Sequence, residues 1–219
     1  MLRRLLRLGL LVALAFYGAC FLALLLVRRY EPPVTMVQIQ RRVEALVSGQ
    51  EYRPYRIWVD LDRLPPHVWR AVVAGEDTRF FEHHGFDWTE IVEAREELAR
   101  GGRRRGASTI TQQLVKNLFL TTHQSVVRKG IEITLTPLAE LALPKRRILE
   151  LYVNSIEFGP GMFGIEAGAR HHFDQPAHEL TREQAAQLAA IIPAPLRRTP
   201  RSSGWYADII LRRMQVLGW

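Results

Sequence analysis

The stretch Gly75-Glu-Asp-Thr-Arg-Phe-Phe-Glu-His-His-Gly-Phe-Asp87 places two carboxylates next to aromatic and imidazole side chains. It follows an apolar run over residues 68–74, whose spacing after two prolines predicts a short buried helix. Glu76 and Asp77 therefore arrive at the end of a packed element, and two phenylalanines then return the chain to the core. Acidic and imidazole groups at the edge of a core suit a general base. The alternative is a helix terminus whose acid only caps the backbone.

Two further stretches carry uncharged hydrogen-bonding groups and cations. Gly106-Ala-Ser-Thr-Ile-Thr-Gln-Gln-Leu-Val-Lys-Asn117 opens with candidate helix caps, and Thr109 with Gln112 fits a capping box. Arg128-Lys129-Gly-Ile-Glu132 then supplies two cations and a carboxylate, three and four residues apart. At that spacing the three side chains share one face of a helix.

The N-terminal region contains an uncharged, almost wholly apolar run over residues 8–27. Its length matches the ~20 residues that span hydrocarbon as a helix. A cleaved signal peptide is the alternative, but the run is long for an h-region and no clear cleavage site follows. Three arginines precede the run and two follow it, which slightly favours a cytoplasmic N-terminus.

Composition bounds the domain count and the class of partner. At 219 residues the chain has room for one domain plus an appendage, and its formal net charge is +8. That balance suits nucleic acid, acidic lipid headgroups or a phosphorylated substrate. With one cysteine, Cys20, an internal disulfide is impossible and a cysteine-based zinc site is disfavoured.

The remaining pattern predicts a mainly α architecture with only short strand candidates. We divide the chain into a cytoplasmic tail and transmembrane helix (1–30), a juxtamembrane linker with a helix (31–50) and a catalytic domain (51–219). Within these parts we expect helices over 36–47, from residue 87 to near 101, and over 109–120, 125–143, 145–154, 164–173, 182–192 and 204–217, with an extended segment over 56–59. Pro137 predicts a kink or break. The glycines at 159, 161 and 164 predict a turn-rich loop.

Five blocks in this order resemble those of the peptidoglycan glycosyltransferases, glycosyltransferase family 51. The first three are Glu-Asp-x-x-Phe-x-x-His-x-Gly-x-Asp, Gly-x-Ser-Thr-Ile-Thr-Gln-Gln-Leu-x-Lys-Asn and Arg-Lys-x-x-Glu. The others are Ile-Leu-Glu-Leu-Tyr-Val-Asn154 with a glycine-rich segment after it, and Leu-Thr-Arg-Glu-Gln-Ala-Ala-Gln-Leu-Ala189 followed by Pro-Ala-Pro195. The resemblance covers residues 64–200 and is closest to the monofunctional biosynthetic transglycosylases.

This resemblance implies a lysozyme-like lobe beside a smaller, mobile lobe that faces the membrane. It implies polymerisation of lipid II with inversion, in which the 4-hydroxyl of N-acetylglucosamine attacks, a β-1,4 bond forms and undecaprenyl pyrophosphate leaves. The implied partners are lipid II, the growing glycan and membrane lipids, not nucleic acid, and other cell-wall synthesis or division proteins are left open. The implied location is the bacterial inner membrane, single-pass, with a cytoplasmic N-terminus and a periplasmic catalytic domain.

The same resemblance assigns roles to individual residues. Glu76 matches the catalytic base and Glu132 the second acid. Pyrophosphate is stabilised by Lys116, Arg128 and Lys129, and three arginines at 103–105 either assist or form a solvated loop. The expected substrate contacts are Asp77, which rather positions its loop, His83, for which a structural hydrogen bond is the alternative, Ser108, Thr109, Gln112, Gln113 and Asn117. Asn154 and Glu150 are expected to tie the lobe together.

A metal and one departure from the family pattern remain open. Glu132 either orients the neighbouring cations, which we favour, or holds a divalent cation such as Mg²⁺ or Mn²⁺; no cofactor is definite. Gln124 stands where many members carry a phosphate-binding arginine. No transpeptidase domain follows within the sequence, so we expect a monofunctional enzyme. The rival interpretations are a lytic muramidase, which has little use for the cation-rich block, and a membrane scaffold, which does not explain Glu76.

Overall fold

The computed structural model describes residues 1–102 and 106–219, and it is mainly α-helical as predicted. The three arginines at 103–105 lie outside the described residues. The helices are α1 (Leu2–Val27), α2 (Met36–Ser48), α3 (Pro66–Glu76), α4 (Trp88–Ala99), α5 (Ile110–Phe119), α6 (Val126–Ala142), α7 (Lys145–Ser155), α8 (Ile165–Phe173), α9 (Arg182–Ala189) and α10 (Gly204–Val216). The strands are β1 (Tyr55–Arg56), β2 (Glu157–Gly159) and β3 (Met162–Phe163), and single 3₁₀ turns form at Leu61–Arg63, Ala177–Glu179 and Arg201–Ser203.

The helix starts follow from capping groups in the sequence. Thr109 and Gln112 form the predicted capping box of α5, and Thr181 with Gln184 forms another at α9. α3 begins with a proline at its first position, where no amide hydrogen is needed. α2 ends at Gly49 in a left-handed conformation that glycine adopts without strain.

The core brings the end of α3 against the start of α5. α3 packs on α9 and α10, while α5 packs on α6 and α7. The largest fully buried side chains include Tyr152, Phe80, Phe158 and Phe163. Phe80 therefore re-buries the chain directly after the carboxylate pair, as the sequence predicted.

A small three-stranded sheet was not predicted. Its order is β1-β3-β2, with β1 parallel to β3 and β2 antiparallel to it. The expected glycine-rich loop is the turn of the β2–β3 hairpin, where Gly161 and Gly164 adopt φ of 73° and 86°. Strands of two or three residues carry too little alternation to be recognised in a sequence.

The apolar N-terminal helix α1 is long and apolar enough to cross a membrane, with a mean hydropathy of 2.7 over its most apolar window. Its first two turns and more are exposed, whereas Cys20, Leu24 and Val27 are buried against the domain, where α1 packs on α6. Arg147 of α7 donates hydrogen bonds of 2.8 Å to the carbonyl oxygens of Val27 and Tyr30. The end of the apolar helix is therefore part of the core.

Two helix predictions are wrong in detail. Pro137 does not break α6, which runs continuously from Val126 to Ala142. The hydrogen bond that a proline cannot donate would go to the carbonyl of Ile133, and both residues are exposed, so water can satisfy that oxygen. α9 ends at Ala189 instead of residue 192, because Pro193 and Pro195 offer no amide hydrogen to continue it.

Candidate active site

The carboxylate of Glu76 lies at the end of α3 and at the floor of a cleft. Its Oε2 accepts a hydrogen bond of 2.7 Å from Nε2 of Gln113 on α5. Its Oε1 is buried and has no hydrogen-bond partner among the described residues. One oxygen is thus fixed and the other is left to accept a proton.

Tyr152 holds Gln113 in the orientation that this contact needs. The Tyr152 hydroxyl, on α7, donates a hydrogen bond of 2.8 Å to Oε1 of Gln113. Because the amide oxygen is occupied, the amide nitrogen points at Glu76. Tyr152 is fully buried, so its hydroxyl has no competing water.

Burial raises the pKa of the Glu76 carboxyl above its ordinary value. The hydrogen bond from Gln113 and the charges of Lys116 and Arg198 oppose that rise, whereas the charge of Asp77 adds to it. A carboxylate with a raised pKa is a stronger base than one in water, which suits proton abstraction near neutral pH.

α10 supports the last turn of α3 from behind, and nothing in the motif blocks had indicated this. The Tyr206 hydroxyl donates a hydrogen bond of 2.6 Å to the carbonyl oxygen of Gly75. Nη1 of Arg213 donates one of 3.0 Å to the carbonyl oxygen of Ala74. Helix ends leave such carbonyls without intrahelical partners, and here two side chains satisfy them directly before Glu76.

Asp77 and His83 hold the stretch after Glu76 against α5. Oδ2 of Asp77 accepts a hydrogen bond of 2.9 Å from the backbone nitrogen of Ile110, and Oδ1 lies 3.0 Å from Nε2 of His83. The Thr109 hydroxyl donates a hydrogen bond of 2.7 Å to the carbonyl oxygen of Gly85. Gln112 is occupied by the capping box, and the His83 side chain is only 8% exposed. These contacts favour the positioning alternative for His83 and Asp77.

Asp77, His83 and Asp87 also present ligand atoms within 4.8 Å of one another, the spacing of a metal site. Both carboxylates already make structural hydrogen bonds, since Asp77 accepts from the amide of Ile110 and Asp87 caps α4 by accepting from the amide of Glu90. We therefore assign the three residues to the fold and not to a metal.

The cations of the third block surround Glu132. Nη1 of Arg128 donates a hydrogen bond of 2.6 Å to Oε2 of Glu132, and Lys129 bonds to Oε1. Nζ of Lys129 also reaches the Ser108 hydroxyl at 3.1 Å. Both Glu132 oxygens are thus engaged by cations, which favours the orienting role over a metal.

Lys116 differs from the other two cations because no ion pair engages it within the described part of the chain. Burial lowers the pKa of its ammonium group, while the charges of Glu132 and Glu76 raise it. Lys116 is therefore a positive charge between the two acids that a ligand can claim.

Two clefts meet at Gln113. The larger, of about 780 Å³, is lined by Glu76, Asp77, Ser108, Thr109 and Gln113 on one side. The smaller, of about 320 Å³, is lined by Gln113, Lys116 and Asn117, by α2 and by the loop over residues 193–197. This geometry brings together most of the predicted site residues, although Gln112 and His83 point into the protein.

Other predicted residues lie where the sequence put them. Asn154 exchanges two hydrogen bonds with the backbone of Val59, of 2.9 and 2.8 Å, and Glu150 accepts one of 3.0 Å from Leu61. They tie α7 to the preceding segment, as predicted. Gln124 is exposed, one residue before the Ser125 cap of α6.

Comparison with known proteins agrees with this site. The family model described as Transglycosylase matches residues 42–218. The "Biosynthetic peptidoglycan transglycosylase" of Pseudomonas aeruginosa is 45% identical over 222 aligned positions, which cover 100% of this chain and 96% of the relative. The proteins of the same name from Xanthomonas campestris pv. campestris and Pseudomonas putida are 46% identical (94% of this chain, 84% of the relative) and 44% identical (100% and 92%).

The fold, the carboxylate at its cleft and these matches define an enzyme that transfers glycosyl groups. The chain belongs to the transglycosylase family, which confirms the resemblance found in its sequence.

Proposed function

We propose that this transglycosylase polymerises the glycan strands of peptidoglycan from lipid II. The growing strand is the donor and the 4-hydroxyl of an incoming N-acetylglucosamine is the acceptor. One in-line displacement forms a β-1,4 bond with inversion, and undecaprenyl pyrophosphate leaves. The names of the relatives and the five motif blocks support the glycan substrate, and the anchor-like helix α1 supports a lipid-linked one.

The observation that carries the proposal is the state of Glu76. One carboxylate oxygen is held by Gln113 and the other is unpartnered in a cleft wide enough for sugar rings. The unpartnered oxygen takes the proton of the acceptor hydroxyl as the new bond forms. A positioned general base typically contributes ~10²–10⁴-fold to a rate.

The leaving group develops negative charge, and three cations offset it. Lys116 has no ion pair of its own in the described residues, and Arg128 and Lys129 are aligned by Glu132. In a partly desolvated cleft such charges stabilise a departing pyrophosphate more strongly than in water. Glu132 acts through these cations and is a positioning residue in this mechanism.

The polar lining contacts sugar and phosphate oxygens. Ser108 and Thr109 line the larger cleft and Asn117 the smaller. Gln113 positions Glu76, with Tyr152 behind it, while Asp77, His83 and Gln112 hold the loop after the base. These assignments give each predicted residue one role, and several of those roles are structural.

Location follows from the substrate. We place the chain in the bacterial inner membrane through α1, with the N-terminus in the cytoplasm and the domain in the periplasm, where lipid II is consumed. The buried contacts of Leu24 and Val27 support an anchor that stays attached. Other cell-wall synthesis or division proteins are candidate partners.

The test is incubation of purified full-length protein with lipid II, followed by separation of glycans and lipids. We expect long strands that still carry lipid pyrophosphate, with free undecaprenyl pyrophosphate accumulating. A muramidase would instead shorten preformed strands and release no lipid pyrophosphate. Shortening of purified glycan without growth from lipid II would overturn the proposal.

A further inference from the structure

The wall of the larger cleft opposite the motif residues is formed by α10. Trp205, Tyr206, Ile209 and Val216 line this wall, whereas Thr78, Asp87, Ser108 and Thr109 are among the residues of the polar side. The cleft that contains Glu76 therefore has one aromatic, apolar side and one side of hydroxyls and carboxylates.

The aromatic pair on this wall is held in place. The centroids of the Trp205 and Tyr206 rings are 5.4 Å apart with an interplanar angle of 42°. The Tyr206 hydroxyl is bonded to the carbonyl of Gly75, the residue before Glu76. The guanidinium of Arg198 lies 5.8 Å from the Trp205 centroid and 5.5 Å from that of Tyr206, and its Nη1 donates to the carbonyl of Ala190 at 3.0 Å. Such cation–aromatic contacts fix both partners.

Trp205 nevertheless keeps 61% of its surface exposed. α10 packs on α3 and α9, whereas the apolar helix α1 packs on α6, so the indole is not part of the anchor's contact with the domain. A rigid, exposed indole on the wall of a cleft exposes an apolar face at little entropic cost on binding.

We propose that Trp205, Tyr206 and Arg198 form a saccharide subsite. An uncharged pyranose ring of the glycan stacks its C–H face on the Trp205 indole, and its hydroxyl edge turns to the polar side of the cleft. A sugar ring has one apolar face and a polar rim, and the two sides of this cleft match that division. The inference rests on the proposed function, since it names where that substrate's sugar lies.

A phosphate group fits this wall less well, although arginines are present. Arg198 already lies against two rings and donates to a backbone carbonyl, and Arg213 donates to the end of α3. Glu76, Asp77, Asp87 and Glu90 line the same cleft, so its acids repel an anion. The wall is therefore assigned to the sugar and not to pyrophosphate.

Binding of the β-1,4-linked tetrasaccharide of N-acetylglucosamine tests the subsite, because this probe lacks lipid, pyrophosphate and peptide. Isothermal titration uses the full chain in detergent micelles, in a Glu76→Gln background so that no reaction occurs. We expect Trp205→Ala to weaken binding about tenfold and Trp205→Tyr to recover most of the loss. Trp88→Ala is the matched control, since Trp88 is 69% exposed and does not line the cleft; binding should be unchanged.

The outcomes separate the inference from its foundation. Equal tetrasaccharide affinity in the parent and in Trp205→Ala, or no measurable binding by the parent, overturns the subsite. If Trp205→Ala does not fold, Trp205→Leu keeps an apolar side chain without the aromatic face and must show the same loss. Weaker association of Trp205→Ala with phospholipid vesicles, at unchanged tetrasaccharide affinity, assigns the indole to a lipid surface and also overturns it. Absence of strand growth by the wild-type protein would sink the proposed function while leaving tetrasaccharide binding intact.

Discussion

Gln113 donates a hydrogen bond of 2.7 Å to Oε2 of Glu76, although 37 positions separate the two residues in the sequence. The Gln113 amide is itself oriented by the buried hydroxyl of Tyr152. The candidate base is thus held by a chain of neutral groups from two other helices. Its proton affinity is set mainly by burial, and the hydrogen bond from Gln113 moderates it.

Tyr152→Phe tests whether this chain of hydrogen bonds tunes the base. Donation from Gln113 favours the charged carboxylate and so lowers the pKa of Glu76 against the rise caused by burial. Without the tyrosine hydroxyl the amide is free to rotate, the donation weakens and the pKa of Glu76 rises further. Since the base must be unprotonated, the acidic limb of the pH–rate profile should move to higher pH, by up to about one unit.

Tyr52→Phe is the control for this change, because the Tyr52 hydroxyl is buried without a hydrogen-bond partner among the described residues and lines neither cleft. Its acidic limb should stay where it is in the wild type. A lower rate in Tyr152→Phe with an unshifted limb would show that Tyr152 supports packing only.

Removal of single cations tests the stabilisation of the leaving group. Lys116→Ala, Arg128→Ala and Lys129→Ala should each lower the rate of polymerisation at least about tenfold, because each removes charge from the place where pyrophosphate departs. Arg63→Ala, on an arginine that is 79% exposed in a surface ion pair, should leave the rate unchanged. Full rates in all three variants would remove the cations from the mechanism.

Gln124→Arg restores the cation that many family members carry at this position. The residue is exposed beside the first turn of α6, which bears Arg128 and Lys129. We expect an unchanged or higher rate with lipid II, measured beside the wild type at low and high salt. A clear loss of rate would show that a cation at this position is not tolerated here.

Truncation at the N-terminus separates anchoring from folding. Deletion of residues 1–30 removes Cys20, Leu24 and Val27 from the core, so the midpoint of thermal unfolding should fall. Strand growth in detergent should persist, because α1 adds no group to the reaction, but it should be less efficient in bilayers, where a shared surface raises effective concentration.

Deletion of residues 1–16 is the control for stability, since all of these side chains are exposed. It should leave the unfolding midpoint unchanged. Equal midpoints for the two truncations would contradict a structural role for the end of α1, and complete loss of chemistry in detergent would make that end part of the site.

The sequence predicts this molecule well where the relevant contacts are local. The caps at Thr109 and Asp87 and the shared face of Arg128 and Glu132 follow from spacings of three or four residues, and the structure has all of them. The site also depends on contacts that no spacing encodes. Tyr152 reaches Gln113 from another helix, and α10 has an ordinary helical pattern that does not indicate a cleft wall.

Substrate-binding roles were the hardest to predict, because polar residues serve folding as readily as ligands. Gln112 caps its own helix, and His83 is turned inward to Asp77. Their residue types fit either role, and only their surroundings favour one. The wrong expectation at Pro137 has a similar origin, since the cost of a proline depends on whether the freed carbonyl meets water.

The rate of strand growth by Glu76→Gln tests the central claim, that the Glu76 carboxylate takes the proton of the acceptor hydroxyl. The measurement is glycan formed from lipid II per folded protein, with helical content and unfolding midpoint compared to the wild type. The amide preserves the shape of the side chain but cannot act as a base, so we expect a loss of ~10²–10⁴-fold with the fold intact. Near wild-type strand growth by folded Glu76→Gln protein would contradict the account.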